Sequence, residues 1–591
     1  MTATDPQADW SAGQLRSARF GDVYFSASGG LGEARAVFLQ GCGLPERWHG
    51  RRRFTVGELG FGTGLNILAL LHLWRDHGPE GATLHIVSVE GFPLSHEDAR
   101  AAHALWPELA DLSQPLLAQW PTGARGIHRI GFPALGATLD LAVLDVEEAL
   151  AGWTGRADAW FLDGFSPAKN PAMWSPEVLA AVARWSAPGA RAATYSVAAL
   201  VRQGLEAGGF SIARKPGYGH KHQRLEAALP SMACDDPPAP QVAIIGAGIA
   251  GAALARALAD QGVEARVFAA GPMASGNPAA LVSPRLAAGS AAGAALHAQA
   301  FRRAVRRIHE TAPAAIIARG TLHLLRGAGE TARGAATMNS CLFEPGSIRA
   351  ADGPDALHFE DALVVAPELL RTAWLPRVDQ TAVASLRHSQ SGWSLLADTG
   401  EVVATADAVI LAAGFASAAL ADIPLRPVRG QVSIAGIPLA GPPTSWGGYV
   451  IPTPSGLLFG ATHGRGDADP EPREEDHVRN LEGLRKVRPL LAAALEGEPL
   501  LAAAGVRAAT GDHQPIAGQL AQGLYTLTGL GGRGFTLAPL LAEHVAALVL
   551  GLPSPLPASL AALVEPARFV PGEAKRALPP DSPPTAAPAP A

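Results

Sequence analysis

The sequence predicts an α/β protein in which two doubly wound, Rossmann-like units follow one another along the chain. Three observations carry that reading. An apolar strand runs into the glycine turn GFGTG at 60–64, a second runs into GAGIAG at 246–251, and a short proline-rich joint, SMACDDPPAP at 231–240, lies between them. The chain has 591 residues, 48% hydrophobic and 17% charged, which is a globular balance. A formal net charge of −6 argues against coating nucleic acid by bulk charge, yet leaves room for a local basic face. Lysine occurs only at 169, 215, 221, 486 and 575, so most of the 47 basic residues are arginine. No apolar run is read as reaching the ~18 residues a membrane helix needs. The opening MTATDPQADW lacks the apolar core of a secretory signal. A cytoplasmic protein with no membrane partner is therefore expected. Cys42, Cys234 and Cys341 form no CxxC, so neither a disulfide framework nor a bound metal is expected.

The first unit is assigned to residues 1–230. RFTVGEL (53–59) is a strand, GFGTG a turn, and LNILALLHLW a helix. LHIVSVE, LDLAVLD and ADAWFLD are further strands, ending at Glu90, Asp145 and Asp163. ARAATYS is another, and GFSIARKPGYGHKHQRLEAAL reads as two strands joined by a basic loop. A hairpin that finishes a parallel sheet is the pattern of the common methyltransferase fold. Gly60, Gly62 and Gly64 allow close approach of backbone to a ligand, and Glu58 and Glu90 at strand ends are placed to accept hydrogen bonds from ribose hydroxyls. Asp145 ends a third strand at the same rim. These acids also fit plain solvated strand ends. The turn lacks a P-loop Lys-Ser/Thr, and it suits a nucleoside carrying a sulfonium, S-adenosylmethionine. Asp163 leaves its strand into Gly-Phe-Ser-Pro, where a carboxylate can hold or deprotonate an acceptor amine. Phe165 and Trp174 can stack on a base. A capped turn with core aromatics explains the same segment equally well.

The second unit is assigned to 241–570, with 231–240 as linker and 571–591 as a disordered tail too rich in proline and alanine to bury a core. Gly246, Gly248 and Gly251 fit the dinucleotide fingerprint: a tight turn, an approach to pyrophosphate, and close helix–strand packing. The acid expected at the end of the next strand is replaced by Ala269 and Ala270. MASGNPAA, with Ser275, Gly276 and Asn277, resembles the flavin-contacting segment of the glycine and sarcosine oxidases. ADAVILAAG, ending at Gly414, resembles the strand and turn that close over FAD in such proteins. Gly531, Gly532 and Gly534 precede a helix whose N-terminus can stabilise a reduced flavin. Arg507, in GVRAATGDHQPIAG, matches the arginine that binds the substrate carboxylate in related amine oxidases; a structural ion pair is the alternative. His513 reads as an ordinary loop histidine.

Taken together, DVYFS, ELGFGTGLN, WFLDGFSPAKNPAMW, ASGN, RGQVS and GVRAATGDHQPIAG resemble, in this order, the bifunctional tRNA 5-methylaminomethyl-2-thiouridine biosynthesis family. The resemblance spans nearly the whole chain. It implies an FAD half of the DAO type that removes the carboxymethyl arm of a wobble uridine. It also implies an S-adenosylmethionine half that methylates the amine left behind. The partner is then tRNA, with Lys169, Lys215, Lys221 and Arg224 as candidate contacts. Arg51–Arg53 are further candidates, and the run Arg302, Arg303, Arg306, Arg307 is expected to be a solvated helix face. Two other readings stay open: a small-molecule amine oxidase fused to an unrelated methyltransferase, and an RNA-binding scaffold without chemistry.

Overall fold

The computed structural model describes residues 8–11, 14–26, 29–121, 123–219, 222–231, 238–286, 291–351, 355–390 and 392–569. The tail from 571 and most of the linker lie outside these residues.

The N-terminal half is built on an eight-stranded sheet. Its spatial order is Ser211–Pro216, Gln223–Ala228, Ser186–Thr194, Ala157–Leu162, Arg53–Leu59, Thr83–Val89, Ala137–Val143, Gly126–Phe132. The strands from Ser186–Thr194 to Ala137–Val143 run parallel. The expected C-terminal hairpin and the strand Gly126–Phe132 close the two sides antiparallel. The central strands Arg53–Leu59 and Thr83–Val89 are buried almost throughout, as a sheet covered on both faces requires. The helix Leu65–His77 starts after Gly64, whose φ of 74° is open to glycine without strain. All the parallel strands therefore point their carboxyl ends at one rim, the place where open α/β sheets bind ligands. A small sheet of Ala8–Ser11, Gln14–Ser17 and Asp22–Val23 borders that rim. No periodic pattern in the sequence announced it.

The C-terminal half has a five-stranded sheet ordered Arg266–Phe268, Val242–Ile245, Ala408–Leu411, Leu524–Thr528, Ile516–Ala521. All its pairs are parallel except the last. A separate ten-stranded sheet carries the long antiparallel pair Arg426–Ala435 and Leu500–Ala509. The helix Gly534–Leu550 lies between Ile249–Ala259 and Ala291–Thr311 and is apolar on most sides for that reason. With the short turn before it, it is long and apolar enough to cross a membrane, contrary to the expectation from the sequence. It is mostly buried inside the protein, as a core helix is.

The arginine run on Ala291–Thr311 is not a solvated face. Arg302 donates to the Arg125 carbonyl at 2.9 Å, and Arg306 to the Gln119 carbonyl at 3.2 Å. Arg303 is buried and grips Glu543 at 2.7–3.0 Å while also donating to the Arg129 carbonyl at 3.3 Å. Arg307 pairs with Asp260. Helical spacing places these residues along one stripe, but it does not say what covers the stripe. Here three of them cover the edge strand Gly126–Phe132, whose open backbone would otherwise invite pairing with another chain.

Candidate active sites

The rim of the N-terminal sheet opens into a cavity of about 540 Å³. Gly60, Gly62, Glu90, Asp145 and Asp163 all line it. Gly60 has φ 91°, and a Cβ there would press on the Gly164 backbone at 2.8 Å, so only glycine lets the two loops meet. Glu90 accepts from the amides of Gly62 and Phe92, both at 2.9 Å, and so fixes the glycine turn. Burial pushes its carboxyl up, and the two amides offset part of that. Asp145 caps the helix Val146–Ala151 through the Glu147 amide at 3.0 Å and remains exposed at the rim. Gly64 does not line the cavity.

Glu58 is the clear correction. Expected to reach ribose hydroxyls, it is fully buried and absent from the cavity wall. Its position is the next to last of its strand, beside Ser88 on the neighbouring strand, and its side chain turns inward. Strand order reveals the acid's place along the sheet; the face it takes is decided by packing.

Asp163 lies one residue past Ala157–Leu162. Its Oδ1 accepts from the Gly164 amide at 2.9 Å, and its Oδ2 from Asn66 Nδ2 at 2.8 Å. Asp22, Glu33, Tyr24 and Tyr195 share the cavity with it, and none of these was singled out from the sequence. Tyr195 donates to the Gly164 carbonyl at 2.5 Å, and burial together with Asp163 keeps its phenol from ionising. Phe165 faces the cavity and packs against Phe20 at 4.8 Å and Tyr24 at 5.2 Å between ring centres. Trp174, in contrast, is buried and donates to the Phe165 carbonyl at 2.9 Å, so it supports the loop and stacks on no ligand.

The four candidate tRNA contacts separate. Lys169 is tied to the Gly21 carbonyl at 2.6 Å and to Asp22 at 3.1 Å, clasping the two loops over the cavity. Arg224 is held by Glu226 at 2.7 and 3.0 Å. Lys215 is exposed on the outer strand. Lys221 lies outside the described residues. Among the alternates, Arg51 pairs with Asp158 at 3.0 Å.

The C-terminal half holds a cavity of about 1130 Å³. Gly246, Gly248, Ser275, Asn277, Gly414, Gly531, Gly532 and Gly534 line it. Gly251 stands behind the wall, where a Cβ would collide with the Gly246 carbonyl, which is the close-packing task expected of it; Gly276 is exposed and does not line the cavity. Ser275 Oγ accepts from the Ile249 amide at 3.2 Å and steadies the helix start. Ala269 and Ala270 face the cavity, and among the described residues no carboxylate does. Arg285, Arg507 and Arg533 do. An elongated, acid-free cavity with glycine turns and arginines fits a dinucleotide pyrophosphate and an anionic substrate together. Among the described residues no cluster of three or more His, Cys, Asp or Glu is placed to hold a metal ion.

Arg507 sits on Leu500–Ala509 opposite Val428, and its guanidinium lies directly over Gly430 of the neighbouring strand. No ion pair of Arg507 is formed among the described residues, and the residue lines the cavity. Tyr449 and His463 share its part of the cavity; burial raises the first and lowers the second, with Arg507 acting on both. His513 also borders the cavity, on an exposed loop with φ 60°.

Residues 107–230 match the family described as S-adenosyl-L-methionine-dependent methyltransferase, and 241–548 the family described as FAD dependent oxidoreductase. The chain is 54% identical to a "tRNA 5-methylaminomethyl-2-thiouridine biosynthesis bifunctional protein MnmC" of Caulobacter sp. (strain K31), over 94% of this chain and 96% of that one. It is 41% identical to a protein of the same description from Maricaulis maris (strain MCS10), over 97% and 98% of the two chains. Among solved structures it is similar to an iminodiacetate oxidase from Chelativorans sp. BNC1, with a TM-score of 0.48 and 22% identity over 55% of this chain and 100% of the other.

Proposed function

The chain belongs to the family of bifunctional tRNA 5-methylaminomethyl-2-thiouridine biosynthesis proteins, and we propose that its two cavities act in turn on one wobble uridine. The C-terminal half is an FAD-dependent oxidoreductase and the N-terminal half an S-adenosylmethionine-dependent methyltransferase. The observation that carries the proposal is the complementarity of the cavities within one chain. One is acid-free and offers Arg507 to a carboxylate; the other gathers Asp163, Asp22 and Glu33 around an amine. The substrate of the first reaction bears a carboxymethyl arm, and its product is the amine the second reaction needs.

In the C-terminal half, Gly246, Gly248, Ser275, Asn277 and the 531–534 turn would hold FAD. Bound there, FAD would supply the two-electron acceptor for a hydride from the arm's C–H; with loss of the N–H proton the arm's C–N bond becomes an imine, which water hydrolyses to the free amine and a two-carbon oxo acid. Arg507 orients the arm by its carboxylate, in the forked geometry guanidinium favours. In the N-terminal half, Asp163 accepts the amine's N–H and its proton. The nitrogen lone pair then forms the new N–C bond as the S–C bond of the sulfonium breaks, leaving a neutral thioether. Lys169 closes the pocket by pinning the 21–22 loop. The tRNA meets the rim beside Lys215, in the cytoplasm.

Nucleoside mass analysis of tRNA from a strain lacking this gene is the test. The carboxymethylaminomethyl form should accumulate; unchanged methylaminomethyl content, with purified protein turning over free glycine or sarcosine, overturns the proposal. Arg507→Ala should lower flavin bleaching by tRNA about ten- to a hundredfold, the worth of one charge-assisted contact. Gly430→Ala should do so about tenfold, because the new methyl displaces a flexible guanidinium at little cost to the fold. Both variants should bind FAD and methylate aminomethyl tRNA normally. Wild-type bleaching in both would leave Arg507 without a role.

A further inference from the structure

A polar cluster that the reaction as described does not use runs from the wall of the methyl-transfer cavity, where Asn66 stands, to Glu58 and Ser88 behind it. Glu58, Ser88 and Asn66 come from three separate elements, Arg53–Leu59, Thr83–Val89 and Leu65–His77. All three side chains are at most 8% exposed. Ser88 Oγ and Glu58 Oε2 share a 2.5 Å hydrogen bond. Asn66 Nδ2 donates to Glu58 Oε1 at 3.1 Å and to Asp163 Oδ2 at 2.8 Å. One amide group thus ties a fully buried carboxyl to the carboxylate that faces the amine.

We propose that Glu58 and Asn66 are a positioning pair for Asp163: the buried carboxyl locks the Asn66 amide, and the amide locks Asp163 toward the substrate amine. The proposal rests on the reading of Asp163 given above. It removes Glu58 from the nucleoside-binding set altogether.

The argument is one of donors and acceptors. An Asn amide offers two N–H bonds, and both are spent here on carboxyl oxygens in fixed directions. No cation pairs with Glu58 among the described residues. Two ionised carboxylates bridged by one amide, one of them fully buried, would repel each other. A neutral Glu58 avoids that, while its Oε1 still accepts from Asn66 and its Oε2 from the Ser88 hydroxyl. Burial pushes its carboxyl well above the ordinary range, with Asp163 and Glu90 adding to it, and the hydrogen bonds from Ser88 and Asn66 offset only part of that. The pair thereby leaves Asp163 as the charged partner of the bridge, facing Asp22, Glu33 and Tyr195 across the cavity, with Lys169 held on Asp22 outside the wall. A carboxylate free to rotate would still attract the amine, but would not aim its lone pair at the methyl group. Orientation of that kind acts on the rate more than on binding.

Glutamine, like a neutral carboxyl, carries no charge and keeps a carbonyl acceptor for Asn66 and a polar partner for Ser88, and this separates the roles. In the full-length protein, Glu58→Gln should keep the methylation rate and the affinity for S-adenosylmethionine within about threefold. Asn66→Ala should lower kcat about ten- to a hundredfold, with S-adenosylmethionine affinity and KM for aminomethyl tRNA nearly unchanged. Glu58→Leu should behave like Asn66→Ala, so that glutamine, but not leucine, restores the rate. Calorimetry with S-adenosylhomocysteine reports whether each variant retains its site. Should Glu58→Gln weaken S-adenosylmethionine binding tenfold or more, Glu58 is a nucleoside ligand and the proposal falls. Wild-type kcat in Asn66→Ala, with Asp163→Asn inactive, overturns the positioning pair alone. Wild-type kcat in Asp163→Asn overturns the reading of Asp163, and the pair with it.

Discussion

Replacing Asp163 by alanine is expected to cut methyl transfer by about 10²–10⁴-fold, the range for a lost general base. The substrate amine is a cation in water, and its lone pair attacks only after a proton leaves. Asp163 is the carboxylate placed to take that proton: it follows the strand Ala157–Leu162, and its two oxygens are aimed by the Gly164 amide and Asn66. Asp22 and Glu33 in the same cavity add attraction for the cation, yet Asp22 is engaged by Lys169 and the Ser166 amide. S-Adenosylmethionine binding should persist, because Glu90 and the turn at 60–64 are untouched. The oxidative half should also run on, so tRNA from cells carrying only Asp163→Ala should accumulate the aminomethyl nucleoside. Normal methylaminomethyl content in that tRNA would show that another group takes the proton.

Glu543→Ala should destabilise the protein by roughly 3–5 kcal/mol, the cost of leaving buried cations without their partner. Glu543 is 4% exposed on the core helix Gly534–Leu550 and faces two arginines. Arg303, from its own half, binds it at 2.7 Å, and Arg129, from the edge strand of the other half, lies 3.6 Å away. Arg129 is in turn gripped by Asp140 at 2.6 and 2.7 Å, and Asp140 meets His85 at 2.8 Å. The same helix begins at the 531–534 turn of the FAD cavity. Loss of Glu543 should therefore lower the melting temperature and part the transitions of the two halves, followed by flavin fluorescence and by circular dichroism. A single unshifted transition would remove Glu543 from the interface. Burial alone would raise its carboxyl, but Arg303 and Arg129 outweigh burial and hold it below its ordinary value. Asp140 is depressed in the same way by Arg129. Groups with depressed folded values stabilise fully above the unfolded carboxylate range, and that stability is lost as pH falls through the folded values. Wild type should thus lose stability in acid more steeply than Glu543→Gln.

The halves are consequently joined by more than the linker at 231–240. Separating the halves would break the Arg129–Glu543 contact and the bond from Arg303 to the Arg129 carbonyl and expose these groups to water, while Arg303–Glu543 and Arg129–Asp140 stay within their own halves. The expectation that each half folds alone must meet that cost.

The sequence by itself determined the two glycine turns, the strands before them, the closing hairpin and the order of the two enzymes. These are local signals: a glycine that must adopt positive φ, an apolar run buried on both faces, and a periodic helix are written in adjacent residues. Asp163 and Arg507 were singled out from distinctive stretches of chain, and the structure places each on a cavity wall. Only the tertiary structure decided which way side chains face and what covers them. It turned Glu58 into the core, spent Trp174 and Lys169 on holding loops, brought Tyr195 and Asp22 to the amine, and buried the arginine stripe against Gly126–Phe132. Those outcomes depend on residues far apart in sequence meeting in space, and a strand's alternation or a helix's stripe is the same whether water or another domain lies against it.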